Sequence, residues 1–251
     1  MNIVNFRDFG GASADRGSRV VAGRLFRCGQ PGPLGTTPFG LLSDLGIAVV
    51  VDLRFPDEAR QAVFPWVDPG RPKVVEMEDG DRGDAPHHAF FTATLGGTED
   101  VHRLYRDFYA GLPFDPRYRS LVGRALRVFA GVDKPVLVHC SAGKDRTGFL
   151  CALLLRILGA DEEAIVADYM ISNAPSAKAA LRPEIERRFA AHGRDLPGGE
   201  ILDTILGVDP SYLESSFAAI DRHAGSLPAY LEEIGVGADV TNALRARYIA
   251  R

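Results

Sequence analysis

Residues 135–158 read PVLVHCSAGKDRTGFLCALLLRIL, and this stretch decides the fold because it combines a strand, a tight loop and a helix. Residues 135–139 form a short apolar, β-branched run, which predicts a buried strand. Residues 140–146 are polar and contain a glycine, and residues 147–158 form an apolar run that is long enough for a helix. Backbone N–H groups in such a loop, together with the positive end of the helix dipole, make a site for anions.

Cys140 opens this loop and Arg146 closes it, and the two residues predict its chemistry. A thiol attacks only as a thiolate, which a helix N-terminus and nearby cations favour. The planar guanidinium of Arg146 matches two oxygens of a phosphate. Attack of the Cys140 sulfur on a bound phosphomonoester would give a cysteinyl-phosphate that water then hydrolyses. A protein that binds phosphate without turning it over stays open as an alternative.

The string HCSAGKDRTG resembles the signature loop of the protein tyrosine phosphatase superfamily, in the bacterial and fungal tyrosine/lipid phosphatase branch that carries a Lys-Asp pair. The segments NFRDFGG at 5–11, VDLR at 51–54 and AGS at 224–226 resemble other motifs of that branch. We expect an α/β fold with a central, mostly parallel sheet of four or five strands and helices on both faces. The active site is expected at the carboxyl edge of the strands.

The resemblance implies a role for each residue of the loop and for three residues outside it. Cys140 is the nucleophile, and Arg146 clamps the phosphate. His139 orients the loop through hydrogen bonds of its ring, and Asp52 is expected to accept hydrogen bonds from Arg146 or Lys144. Arg54 is a supporting residue outside the loop. The remaining loop residues bind phosphate, namely Ser141, Ala142, Gly143, Lys144, Asp145 and Thr147. Thr147 is also expected to donate its hydroxyl to the sulfur, to cap the helix, or both.

The general acid is Asp145 by resemblance, since a carboxyl group in the loop can point at the leaving group and carry a proton. Asp79, Asp81 and Asp84 remain competitors, because an acidic loop over residues 78–88 could bring one of them to the site. Lys144 adds a second positive charge, which suits substrates with more than one phosphate; the plainer interpretation is a solvated loop lysine.

The rest of the chain predicts a strand-and-helix first half and a helical second half within one domain, 1–251. The predicted strands lie within 19–27, at 47–53 and at 73–77. Residues 86–115 are a candidate helical insertion or lid, and residues 161–251 form the helical C-terminal part. The predicted helices cover 37–46, a short segment from 56, 101–110, 117–129, 161–171, 176–191, 210–223, 226–234 and 238–250. Leu104 and Phe108 are expected to face inward, and residues 192–200 are expected to form a loop.

Composition bounds the setting of the protein. The 251 residues include 29 basic and 33 acidic side chains, a net charge of −4, so no basic field points to nucleic acid. No apolar run is long enough to span a bilayer. The N-terminus lacks the pattern of a secretion signal, so we expect a cytoplasmic protein, with export by another route left open. No cofactor or metal is expected, because the loop itself neutralises the phosphate charge.

The sequence therefore predicts a cysteine-dependent phosphatase, with phosphorylated protein or phosphoinositide as its partner and no prediction of oligomeric state. Phosphotyrosine is the default substrate, and phosphoserine/threonine and phosphoinositides are further candidates. The alternatives are an inactive phosphate-binding module and a Cys-x5-Arg arsenate reductase. Arsenate reduction needs more thiols, and only Cys28 and Cys151 are present. Cys28 is either a buried structural thiol or a redox partner of Cys140.

Overall fold

The computed structural model describes residues 3–30, 44–61, 72–78 and 89–250. Its strands are β1 (Arg7–Asp8), β2 (Ser13–Ala14), β3 (Ser18–Val20), β4 (Leu25–Cys28), β5 (Val49–Asp52), β6 (Lys73–Val75), β7 (Val136–His139) and β8 (Ile249–Ala250). Its α-helices are α1 (Pro56–Gln61), α2 (Ala89–Thr92), α3 (Thr98–Gly111), α4 (Pro116–Gly131), α5 (Asp145–Ile157), α6 (Glu162–Met170), α7 (Pro175–Ala191), α8 (Gly199–Leu206), α9 (Pro210–Ala224), α10 (Leu227–Glu233) and α11 (Ala238–Tyr248).

The main sheet has five strands in the order β1-β4-β7-β5-β6. The pairs β4–β7, β7–β5 and β5–β6 are parallel, and β1 is antiparallel to β4. This confirms the predicted mostly parallel sheet flanked by helices. All four residues of β7 are buried, as expected for a strand with neighbours on both edges. Cys28, His139 and Asp52 lie side by side at the carboxyl ends of three strands, and this edge carries the loop.

A second sheet corrects the prediction near both ends of the described chain. The two strands predicted within 19–27 exist, but β3 belongs to a separate antiparallel sheet with β2 and β8. Helix α11 ends at Tyr248, short of the predicted residue 250, because Ile249 is extended and pairs with Val20.

Helix α5 is the central helix, as predicted, but it begins at Asp145 rather than at residue 147. The N–H of Gly148 donates to the carbonyl of Lys144 at 2.8 Å, so the first turn of the helix includes the last residues of the loop. Gly159 has a φ of 78° and lies just beyond the helix, where a left-handed residue is common. Arg146 to Leu155 are all buried, so α5 packs on all sides.

Leu104 and Phe108 of helix α3 pack against the core as predicted, but they lie at the edge of the buried face and not at its centre. Leu104 and Phe108 are only partly buried, whereas Val101, Tyr105 and Tyr109 form the buried face. The two tyrosines packed inward because their hydroxyls find partners in the core. This difference matters because the hydroxyls of Tyr105 and Tyr109 form hydrogen bonds with Lys144 and Asp145 of the cysteine-containing loop.

The helical C-terminal part contains one helix that the sequence analysis missed. The predicted loop 192–200 overlaps the start of α8, whose Leu202, Ile205 and Leu206 are buried. The sequence analysis missed this short helix because a Pro-Gly-Gly run at residues 197–199 leads into it, and proline and glycine are typical of loops. No helix in the described part of the chain combines the length and the apolar character needed to cross a membrane. The predicted helix 37–46 lies mostly outside the described residues, as do Asp79, Asp81 and Asp84.

Candidate active site

Cys140 lies directly after β7, at the floor of a cavity of about 420 Å³. Its side chain is almost fully buried, and its Sγ accepts the backbone N–H of Gly143 at 3.2 Å. The loop supplies one wall of the cavity through Ser141, Ala142, Lys144, Asp145 and Arg146. The other walls are mainly apolar and come from the N-terminal segment and from helices α2, α3, α7 and α8, with Ile3, Val4, Phe91, Phe108, Leu181, Ile185 and Leu206 among them.

Gly143 allows the loop to sit directly on the end of β4. Its φ is 67°, in the left-handed region that favours glycine. A Cβ atom there would lie 2.3 Å from the backbone of Cys28 and Gly29, far inside van der Waals contact. The tight turn and the close approach therefore both require glycine at this position.

Arg146 is held by Glu58, a residue that the sequence analysis did not single out. The guanidinium donates to the two carboxylate oxygens of Glu58 at 2.6 and 2.9 Å, and to the carbonyl of Leu53 at 3.1 Å. Glu58 also accepts the hydroxyl of Ser141 and the backbone N–H of Phe55. Both partners are buried, so this is a desolvated, bidentate ion pair that fixes the plane of the arginine.

Asp52 does not hold Arg146 or Lys144, which corrects the expectation from the sequence. Its carboxylate accepts two hydrogen bonds from the guanidinium Nε and Nη2 of Arg54, at 2.9 and 2.6 Å. Burial opposes the charged form, yet His139 and Arg54 hold the pKa of Asp52 below its usual range. The Nε2 of His139 lies 3.7 Å from Asp52, and burial lowers the pKa of this imidazole despite the nearby carboxylate. This group supports the strand ends beneath the loop.

Asp145 has the environment that a general acid needs. Burial raises the pKa of its carboxyl group above the usual range, against the opposing charge of Lys144. Its Oδ1 accepts the hydroxyl of Tyr109 at 3.1 Å, and that hydroxyl lies 2.7 Å from the hydroxyl of Tyr169. The side chain keeps 19% exposure, so it is accessible from the cavity. After Glu58, Tyr109 is the second residue of the site that the sequence analysis missed. The reason is that the sequence analysis assigned a different inward face to α3.

Lys144 is buried, which differs from the expected solvated or phosphate-facing loop lysine. Its Nζ donates to the hydroxyl of Tyr105 at 2.9 Å and to the carbonyls of Ile205 and Gly207 at 2.6 and 2.8 Å. It also lies 3.8 Å from Asp145. Burial lowers its pKa, although Asp145 acts in the opposite direction. The lysine therefore ties the loop to the end of α8.

Thr147 does not make the hydrogen bond expected of it, and the environments of the other two cysteines bear on the proposed redox and relay roles. Thr147 is fully buried, and within the described residues its hydroxyl has no hydrogen-bond partner, so the expected bond to the sulfur is not formed. Cys28 and Cys151 are free and buried. Burial raises the pKa of Cys151 to about 12, and it raises the pKa of Cys28 as well. Thiols that stay protonated make poor relay partners, which disfavours arsenate reduction.

Among the predicted residues, the structure brings Cys140, Asp145 and Arg146 to one cavity, with the backbone of Ser141 to Lys144 between them. Asp52, Arg54 and His139 are not among the described residues that line this cavity. The cavity therefore combines a cysteine at the end of a parallel strand with an arginine at the start of a buried helix, which is the arrangement that the sequence predicts for an anion site.

The comparisons with known proteins give the family. The model of the tyrosine phosphatase family matches residues 1–250, and the chain belongs to that family. It is 32% identical to the triple specificity protein phosphatase PtpB of Mycobacterium tuberculosis, over 96% of this chain and 95% of that protein. It is 28% identical to the tyrosine-protein phosphatase of Nostoc commune, over 93% of this chain and 77% of that protein. The chain is accordingly a protein-tyrosine phosphatase.

Proposed function

We propose that the protein hydrolyses phosphomonoesters of phosphorylated proteins, with Cys140 as nucleophile, Arg146 as phosphate clamp and Asp145 as general acid. The observation that carries the proposal is a largely apolar cavity lined both by Cys140 and by Asp145, an aspartate whose pKa is raised by burial. The different surroundings of the two side chains suit the cysteine to act as the nucleophile and the aspartate to act as the acid.

In the first step the Cys140 thiolate attacks phosphorus, and the bond from phosphorus to the leaving oxygen breaks. The protonated Asp145 donates its proton to that oxygen, so that an alcohol or phenol leaves. Arg146 and the loop N–H groups hold the phosphoryl oxygens while charge redistributes among them. The ion pair with Glu58 orients the guanidinium before the substrate arrives.

In the second step water attacks phosphorus, and the sulfur–phosphorus bond breaks. Asp145, now ionised, takes a proton from that water, so the acid of the first step is the base of the second. Inorganic phosphate and the thiolate are released, and the enzyme returns to its starting state.

The substrate we propose first is phosphotyrosine. The apolar cavity walls formed by Phe91, Phe108 and Leu181 suit an aromatic ring better than a short serine side chain. Phosphoserine, phosphothreonine and phosphoinositides are further substrates, in line with the relative named for triple specificity. A second phosphate that engages Lys144 must replace hydrogen bonds to Ile205 and Gly207, so we rank polyphosphorylated substrates below phosphotyrosine.

The test measures turnover of wild type, Cys140→Ser and Asp145→Asn on a phosphotyrosine peptide, a phosphoserine peptide and a phosphoinositide. Wild type is expected to release phosphate fastest from phosphotyrosine. Cys140→Ser should bind inorganic phosphate without turnover, because the loop remains and the nucleophile is lost. Asp145→Asn should lose about two to four orders of magnitude in kcat on the peptide substrates. Substantial turnover by Cys140→Ser would overturn the mechanism, and a nearly normal Asp145→Asn would move the acid to another residue.

A further inference from the structure

Four consecutive carbonyl groups of the loop accept hydrogen bonds from the segments packed behind it. Three different donors act from outside the loop and helix. The contacts are Gln30 N–H to Ser141 O at 2.9 Å, Asn5 Nδ2 to Ala142 O at 2.8 Å, and Arg27 Nη2 to Gly143 O at 3.0 Å and to Lys144 O at 3.4 Å.

Each of these contacts decides where a backbone N–H points. In a trans peptide the carbonyl and the N–H of the next residue lie on opposite sides of the chain. Carbonyls that are turned outward at residues 141–144 therefore turn the N–H groups of residues 142–145 toward the cavity. The N–H of Gly143, which donates to the Cys140 sulfur at 3.2 Å, has this orientation. A run of inward N–H groups is a nest for an anion such as phosphate.

Arg27 is the strongest of the three outside donors, because it is a charged group with no solvent exposure. Its Nη1 pairs with Asp168 at 2.6 Å, and the other oxygen of Asp168 accepts from Arg7 at 2.7 Å. A buried charge is tolerated only when it is paired and hydrogen-bonded. Asp168 and Arg7 thus hold Arg27 in the position from which it reaches the two loop carbonyls.

Asn5 reaches the loop from a backbone conformation that few residues adopt. Its φ is 56°, in the left-handed region where asparagine is several-fold enriched. The segment is pinned on both sides, because Arg7 donates to the Asn5 carbonyl at 3.1 Å and the N–H of Gly29 donates to the Val4 carbonyl at 2.6 Å. The side chain is mostly buried against the loop.

We propose that Asn5 is a positioning residue that, alongside the contacts of Arg27, holds the loop in its phosphate-binding shape before any substrate arrives. Neither residue lines the cavity, so both act through the backbone of the loop. This proposal gives the sequence motif at residues 5–11 a function. Asn5 shapes the loop, and Arg7 donates hydrogen bonds to the Asn5 carbonyl and to Asp168. This inference rests on the proposed role of the loop as the phosphate site.

The experiment compares Asn5→Ala and Asn5→Asp with wild type. Asn5→Asp keeps the shape of the side chain but has no N–H to donate, and it places an acceptor against the Ala142 carbonyl. Binding of inorganic phosphate is measured by calorimetry in the Cys140→Ser background, which needs no turnover, and kcat/KM on an aryl phosphate is measured with Cys140 intact. We expect about a tenfold weaker Kd for phosphate in each variant, which corresponds to about 1.4 kcal/mol, and a fall in kcat/KM of at least the same factor.

Asp8→Ala is the matched control from the same motif. Asp8 accepts the backbone N–H groups of Gly10 and Gly23, and in the described part of the chain it makes no hydrogen bond with the loop. We expect this variant to lower the melting temperature while its phosphate Kd stays within twofold of wild type. The two Asn5 variants separate loss of the donor from loss of side-chain volume.

Two results overturn the inference. If both Asn5 variants bind phosphate as tightly as wild type, or if Asp8→Ala weakens binding as much at an equal loss of melting temperature, Asn5 has only a structural role. Turnover by wild type and phosphate binding by Cys140→Ser in the same series show that the proposed function still stands. Absence of both turnover and phosphate binding would overturn the proposed function and this inference together.

Discussion

Glu58→Gln is the substitution that most directly tests how the phosphate clamp is held. The change removes one negative charge and keeps the shape of the side chain. It acts on the two hydrogen bonds from the Arg146 guanidinium, at 2.6 and 2.9 Å. The side chains are only 5% and 8% exposed, so solvent hardly screens the pair.

The size of the effect follows from the geometry. Hydrogen bonds to charged groups contribute about 1.5–3 kcal/mol each, and breaking a buried ion pair by removing one partner costs about 3–5 kcal/mol. Glutamine can still accept one hydrogen bond from Arg146, but its amide N–H groups face the other guanidinium N–H. We therefore expect a loss of about 3 kcal/mol in the free energy of unfolding. We also expect a fall of about 10–100-fold in kcat/KM, because a loosened guanidinium no longer presents both donors to the transition state.

The assay pairs urea unfolding with steady-state kinetics on an aryl phosphate. Asp57→Asn on the same helix is the control, since Asp57 is 64% exposed and pairs with an exposed Arg60. That surface pair should contribute less than about 1 kcal/mol, and kcat/KM should not change. A Glu58→Gln enzyme within threefold of wild type in kcat/KM, with less than about 1 kcal/mol lost, would refute the argument from the buried ion pair.

Three further predictions concern the acid, the buried aspartate and the loop glycine. Tyr109→Phe removes a hydrogen bond that favours ionised Asp145, so the pKa of Asp145 should rise further and the basic limb of the kcat–pH profile should move to higher pH; a limb that stays in place would contradict this. Asp168 has its pKa lowered in the folded protein, because its two arginine partners outweigh burial. Its contribution to stability is present above the unfolded value of about 3.9 and is lost as pH falls through the folded value. Asp168→Asn should therefore flatten the fall in melting temperature below about pH 4, and an unchanged slope would count against the contact. Gly143→Ala should cost several kcal/mol in urea unfolding and abolish phosphate binding, since its Cβ would lie 2.3 Å from backbone atoms; a stable, phosphate-binding variant would disprove the packing argument.

The sequence was sufficient for the parts of the fold that depend on local pattern. The strand, loop and helix of residues 135–158 are contiguous, and their apolar periodicity and turn residues point to the same arrangement. Cys140 and Arg146 could be recognised for the same reason, because seven neighbouring residues bring them together. Helix α5 was misplaced only at its first turn, where helix ends are least distinct.

Contacts between distant segments were not accessible in the same way. Glu58 meets Arg146 across 88 positions, and nothing in the short helix α1 distinguishes it from the exposed Asp57 beside it. The sequence analysis predicted Asp52 as the partner of Arg146 or Lys144, because Asp52 ends a buried strand. Its carboxylate instead accepts hydrogen bonds from Arg54, two residues further along the chain. Tyr109 was missed because tyrosine is amphipathic, so a stripe of tyrosines does not stand out as an inward face.

The hydrogen bonds from Lys144 to Ile205 and Gly207 bear on when the site can form during synthesis. A ribosome delivers the whole signature loop some sixty residues before it delivers the two carbonyls that accept the lysine. Until then the ammonium lacks the two carbonyl acceptors and has only the Tyr105 hydroxyl and the Asp145 carboxylate nearby. The nascent chain therefore carries the reactive cysteine well before it carries a complete catalytic site, and activity is expected to appear only after α8 has docked.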